Sequence, residues 1–117
     1  HSGEIVKILK KLNIPHTNLS ANVSSPSLFL KETILPSLKS GNPILLGVKI
    51  YPDENPKWAC DHFILVVGFN PVTKELIYNS NDERERVKIS KLLNKENGYS
   101  ILHKSKYIYA LKILLSG

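Results

Sequence analysis

The run Asp61-His62-Phe63-Ile64-Leu65-Val66-Val67-Gly68-Phe69 constrains this chain more than any other stretch. A histidine opens five successive apolar residues, and a glycine and an aromatic close them. A short apolar run rich in β-branched residues and bounded by polar or turn residues reads as a buried strand. A histidine at the mouth of such a strand is held by a rigid element while its ring can still reach a cleft. Downstream lies Glu75-Leu76-Ile77-Tyr78-Asn79-Ser80-Asn81, a second strand ending in polar amides. The connection Asn70-Pro71-Val72-Thr73-Lys74 makes the two a hairpin. That hairpin carries His62 on one arm and Asn79 on the other.

The rest of the chain supplies helices first and strands after. Ile5, Ile8, Leu9 and Leu12 fall at i, i+3, i+4 and i+7, one face of a helix over 4–12, with Ser2 as a cap. Asn13-Ile14-Pro15 ends it, because the residue before proline avoids helical backbone. Residues 16–25 are polar and read as a loop or a short extended segment, with His16 an exposed loop histidine. Ser25-Pro26 opens a second helix with serine as cap and proline in the first turn. Its apolar face is Leu28, Leu30, Ile34, Leu35 and Leu38; Pro36 kinks or splits it, and Lys39-Ser40-Gly41 stops it. Ile44 to Ile50 is apolar enough for a central strand. Tyr51 to Lys57 is a proline-rich acidic loop, and Asp82 to Arg86 a charged turn. A short strand at 87–89, a brief helix at 91–94 capped by Ser90, a turn at Asn97-Gly98 and strands at 99–102 and 107–115 complete the reading. Helices followed by a run of strands indicate an α+β fold with a twisted antiparallel sheet.

At 117 residues the chain is the size of a single domain, taken here as 1–117. Net charge is +6, but the lysines are scattered and Lys10-Lys11 is the one adjacent basic pair; a nucleic-acid footprint would be clustered. The lone cysteine, Cys60, excludes an internal disulfide and leaves both reducing and oxidising compartments open. No apolar run approaches the roughly 18 residues of a membrane span. Gly41, Gly47 and Gly68 are too far apart for a phosphate-cradling loop. Cys60 and His62, two apart on an extended segment, could offer two metal ligands, but no second pair is in view. Neither cofactor nor metal is expected.

A histidine and an amide on adjacent strands suit one chemistry in particular. In a cysteine-nucleophile hydrolase the imidazole takes the thiol proton, and an amide or carboxylate fixes its tautomer and orientation. His62 and Asn79 fit those two roles. The D-H-F-I-L-V-V-G-F run followed by L-I-Y-N-S-N resembles the second half of papain-like cysteine peptidases, where a histidine opens a strand of the type H-A-V-x-V-V-G-Y and an asparagine lies in a strand ending N-S. The preceding L-K-S-G-N-P-I-L-L-G-V is similar to the leader-peptide and bacteriocin-processing peptidases (peptidase family thirty-nine), in which L-x-x-G-x-P ends a helix and an I-L-V-G-V strand follows. The resemblance spans roughly residues 28–90.

The resemblance implies a papain-like fold, or its C-terminal portion, and hydrolysis of a peptide or amide bond through a Cys-His-Asn/Asp arrangement. Catalytic roles fall on His62 and Asn79. The family's aspartate-proline pair is replaced by Asn79-Ser80-Asn81-Asp82, so Asn81 and Asp82 are alternatives to Asn79 as third member. In these families the nucleophile opens a helix ahead of the first strand, with a glutamine a few residues upstream. Neither residue is found there, and the chain contains no glutamine. Cys60 could reach His62 only if both leaned inward across about 6.5–7 Å between Cβ atoms, and without the helix terminus that lowers a thiol pKa. Three readings stand: a peptidase whose thiol is carried by an N-terminal segment or another chain; an inactive papain-like domain that binds a peptide or protein; and an unrelated α+β binding module.

Overall fold

The computed structural model describes residues 2–50, 60–80, 82–93, 101 and 107–115. It is an α+β fold whose strand pairings are all antiparallel. Helix α1 (Ser2–Lys11) comes first, followed by the short strands β1 (His16–Asn18) and β2 (Ala21–Asn22). Next come α2 (Pro26–Phe29), a π-helical turn (Leu30–Ile34) and α3 (Leu35–Lys39), which together form one continuous helical segment. Strands β3 (Ile44–Val48), β4 (His62–Asn70), β5 (Glu75–Ser80) and β6 (Glu83–Lys88) build the sheet. A single turn, α4 (Ile89–Leu92), and strands β7 (Tyr107–Ile108) and β8 (Ala110–Ile113) complete it. Six strands lie in the order β1-β8-β3-β4-β5-β6, and β2 pairs with β7 in a separate ribbon.

The second helix starts as its sequence dictates. Ser25 is extended, Pro26 sits in the first turn, and Ser25 Oγ accepts from the amide of Leu28 at 3.3 Å. Pro36 does not split it: the helical segment runs on through the proline. Proline has no N–H to give to the carbonyl four residues back, and the segment widens into a π turn just ahead of it. There the amide of Leu35 bonds to the carbonyl of Leu30 instead. Phe29, Leu30 and Ile34 thereby keep facing the sheet, in one core with Ile44, Leu46, Ile64, Val66, Leu76 and Tyr78. The second helical segment covers one face of the sheet, and this core lies between the two.

The last strands differ from the expected single 107–115 element. Ile108, Tyr109, Ala110 and Leu111 are all buried, and the chain changes partners at Tyr109, from β2 to β1 and β3. The expected charged turn at 82–86 is also corrected. Residues 83–88 form the edge strand β6, and only two residues separate Ser80 from its partner Glu83. Asp82 takes φ 66°, the left-handed backbone that a two-residue hairpin demands and that aspartate tolerates. Charges on both faces hid a strand whose alternation serves an exposed edge rather than a half-buried one. The brief helix begins at Ile89 after Lys88, with no side-chain cap from Ser90. In α1, which starts at Ser2, the apolar stripe is incompletely covered: Ile8 and Leu12 are exposed. The loop 51–57, the turn at Asn97-Gly98 and most of the strand expected over 99–102 fall outside the described residues.

The β4–β5 turn is closed by Asn70, whose Oδ1 accepts from the amides of Val72 (2.9 Å) and Thr73 (3.3 Å). Lys74 ends the turn at φ 61°. An L-residue there carries a cost of about 1 kcal/mol that glycine avoids. Lys74→Gly is therefore expected to raise unfolding stability by about 1 kcal/mol, read as a higher urea midpoint at unchanged m; a lower midpoint would contradict this turn geometry.

Candidate functional site

His62 opens β4, as its sequence position requires. Its imidazole meets Ser80 and not Asn79: His62 Nε2 and Ser80 Oγ share a hydrogen bond of 2.9 Å. Ser80 is almost fully buried, at 7% exposure, so the bond holds the ring against a fixed hydroxyl. Asn79 is engaged elsewhere. Its Oδ1 accepts from Nε of Arg84, directly across on β6, at 2.8 Å. Asn81 lies outside the described residues, and Asp82 is exposed in the turn.

The register explains why Ser80 and not Asn79 shares a face with His62. Near the β4–β5 turn, Asn70 pairs with Glu75 and Gly68 with Ile77. Continued unbroken, that register would set Asn79 and Asn81 on the face of His62. A bulge between Val66 and Gly68 inserts one extra residue, so that Val66 pairs with Tyr78 and Leu65 with Asn79. Since side chains alternate with period two, one residue of slip exchanges the faces. Beyond the bulge Asn79 joins Leu65, while Ser80 joins Ile64 and His62. The bulge also lets both Val66 and Phe69 pack against the core. Its sequence signal is Gly68 inside an apolar strand, a usual mark of a bulge rather than only of a strand end.

The geometry separates Cys60 from His62 as well. The same-side expectation assumed an extended chain through Asp61, but the chain bends there. The amide of Asp61 donates to the carbonyl of Val48 at 3.0 Å, and Asp61 Oδ1 accepts from the amide of Ile50 at 2.7 Å. Cys60 is thereby folded over Gly47, so closely that a Cβ on Gly47 would lie 2.9 Å from both its Cβ and its Sγ. Gly47 belongs to the sheet face opposite Val48, the direct partner of His62. On that second face Cys60 adjoins Tyr109, and the Tyr109 ring meets Phe63 edge-on at 5.3 Å between centroids.

Burial pushes the Cys60 thiol above its usual pKa, the Asp61 carboxylate adds to the rise, and the ammonium of Lys49 partly offsets it. This is the environment of a structural thiol: Cys60 is only half-buried, but among the described residues its surroundings raise the thiol pKa, whereas those of a reactive thiol lower it. Burial also raises the Tyr109 phenol, with contributions from Cys60 and Tyr107.

Two features escaped the sequence reading. Lys49 is fully buried, at 0% exposure. Its signal was a single charge inside an otherwise apolar strand, I-L-L-G-V-K-I, where a lysine is more usually at the surface. The other is a groove of about 810 Å³ on the second face, with Leu45, Phe63 and Leu65 forming its floor and Asn79, Asp82 and Arg84 its polar end. Among the described residues, no group of three or more His, Cys, Asp or Glu side chains could hold a metal ion. No described helix is long and apolar enough to cross a membrane. No family model, curated protein or solved structure matches the chain.

Proposed function

We infer that the chain is a papain-like domain that binds a peptide or protein partner and does not hydrolyse it with its own residues. One observation carries this reading: among the described residues, the Cys60 thiol, the His62 imidazole and the Asn79 amide are not assembled. Thioester chemistry needs a thiol in hydrogen-bond reach of the imidazole and a third group orienting the ring. Here the thiol lies over Gly47 on one sheet face. The imidazole sits on the other face against Ser80, and the Asn79 amide is held by Arg84. A neutral hydroxyl can fix the ring but adds no charge to stabilise an imidazolium. The papain-like assignment itself draws its support from the order of helices and antiparallel strands and from the two motifs quoted above.

The hydrolase reading, with a thiol supplied by another segment, is favoured by the anchored ring of His62. One experiment separates binding from hydrolysis by the chain's own residues. The protein is incubated with a tryptic digest of casein, with mass spectrometry for new termini and ultrafiltration for retained peptides. Retention without cleavage is expected, with His62→Ala retaining the same peptides within roughly a factor of two. Cleavage that His62→Ala reduces by about 10³-fold or more would establish a hydrolase instead.

A further inference from the structure

Strand β6, the edge of the sheet among the described residues, and the groove beside it define a partner chemistry. Alternation along β6 sorts its charges by face. Arg84, Arg86 and Lys88 pair with Asn79, Ile77 and Glu75 and so share the groove face; Glu83 and Glu85 pair with Ser80 and Tyr78 on the helix-covered face. Glu85 is already engaged there, accepting from the Tyr78 hydroxyl at 2.8 Å. On the groove face Lys88 stands opposite a carboxylate, but the residues across from Arg84 and Arg86 are uncharged. Among the described residues lining the groove, the acid is Asp82, at its end. Arg84, exposed and donating through Nε to Asn79, thus borders a floor of leucine and phenylalanine, and the exposed Arg86 follows it on the same face of β6.

The same alternation disfavours a second copy at this edge. A two-fold axis that continues the sheet antiparallel pairs residues of equal parity, because opposed side chains share a face. Registers with the axis at Arg84, Glu85 or Arg86, which pair the middle of β6 with itself, each set arginine against arginine. Like charges directly opposite are destabilising, so self-pairing along the middle of the edge is disfavoured and a chain of complementary pattern suits it better.

We propose that the groove and the β6 edge bind an extended acidic segment of a partner protein, placing carboxylates against Arg84 and Arg86 and an apolar side chain over Phe63 and Leu65. This rests on the binding reading above and specifies its ligand. Arginine is the residue suited to a carboxylate, through its planar fork of donors. The alternate-residue spacing of the arginines matches the side-chain spacing of an extended chain. A nucleic-acid strand fits less well, since an apolar floor with one aromatic ring offers little stacking surface.

The test uses three fluorescein-labelled octapeptides in which serine alternates with Leu, Asp, Asp and Leu, with Leu, Lys, Lys and Leu, or with Ser, Asp, Asp and Ser. Fluorescence anisotropy is read at two salt concentrations, beside a labelled oligo-dT 20-mer. The first peptide should bind at least about tenfold more tightly than either other. Arg84→Gln/Arg86→Gln should abolish that preference, and Arg84→Glu/Arg86→Glu should reverse it toward the lysine peptide, both with unchanged circular dichroism. Binding of all three peptides alike, or an acidic preference that survives both double variants, overturns this inference and leaves the binding reading standing. Cleavage of the bound peptide overturns that reading and not this one. Failure of the first peptide to bind at 1 mM, or tighter binding of the oligonucleotide, overturns the assignment of an acidic peptide.

Discussion

Gly47→Ala is expected to destabilise the fold by about 1–3 kcal/mol, the range for forcing an extra methyl into a well-packed site. The new methyl would lie 2.9 Å from Cys60 Cβ and Sγ and 3.1 Å from Tyr109 Cβ. Two of these three atoms leave their backbones directly, so they cannot rotate out of the way. Gly68→Ala is the control. Its nearest neighbours, Ile77 Cδ1 and Cβ, are at 3.7 and 3.9 Å, ordinary contact distances, so its cost should stay within about 1 kcal/mol. Urea unfolding measures both. Adding Cys60→Gly to Gly47→Ala removes two of the three clashing atoms and should recover part of the loss, as a favourable coupling in a double-mutant cycle. Equal costs for the two alanine variants, or additivity in the cycle, would mean that Cys60 does not sit on Gly47. The separation of thiol from imidazole would then lose its basis.

Alkylation of Cys60 by iodoacetamide should be slower at pH 7 than that of a free cysteine peptide. The thiolate is the reacting form, and burial followed by the Asp61 charge shifts the thiol pKa upward. The rate should climb only above the ordinary thiol value of about 8.5. Asp61→Asn should speed the reaction by removing the second cause, provided circular dichroism shows the fold retained. The same shift has a sign in stability. The folded state holds the thiol proton more tightly than the unfolded chain does, so this contribution is fully present below the unfolded pKa. It is lost as pH rises from there through the folded one. Tyr109, raised chiefly by burial, acts in the same direction at higher pH. Labelling that saturates below pH 7.5 would identify an activated nucleophile and reopen hydrolysis by this chain's own cysteine.

Much of the architecture was legible locally. The Ser25-Pro26 start is a property of adjacent residues, and the structure keeps it. The β4–β5 hairpin followed from two apolar runs and a turn rich in Asn and Pro, and its register begins at Asn70 and Glu75 as that turn implies. The α+β order came from helical and strand periodicity, each of which repeats within a few residues. Strand β6 was misread because strand patterns are recognised by one apolar face, and an edge strand in water needs none. The π turn ahead of Pro36, which keeps the helical segment unbroken, was missed because it leaves no mark in the apolar spacing.

Of the site, the sequence located His62 at the mouth of its strand but not its partner. Side chains reverse faces with each residue, so identifying the partner requires the register to be right to one residue over the whole hairpin. The bulge at Val66 and Gly68 supplies the single residue that gives His62 Ser80 and turns Asn79 to Arg84. The bend at Asp61, fixed by contacts with Val48 and Ile50, likewise carries Cys60 to the opposite face. By itself the sequence determined most of the strands and helices, because those preferences are written in neighbours two to four positions apart. Which chemical groups meet was decided only by the tertiary structure, because that depends on a one-residue slip and a bend set by pairing between distant strands.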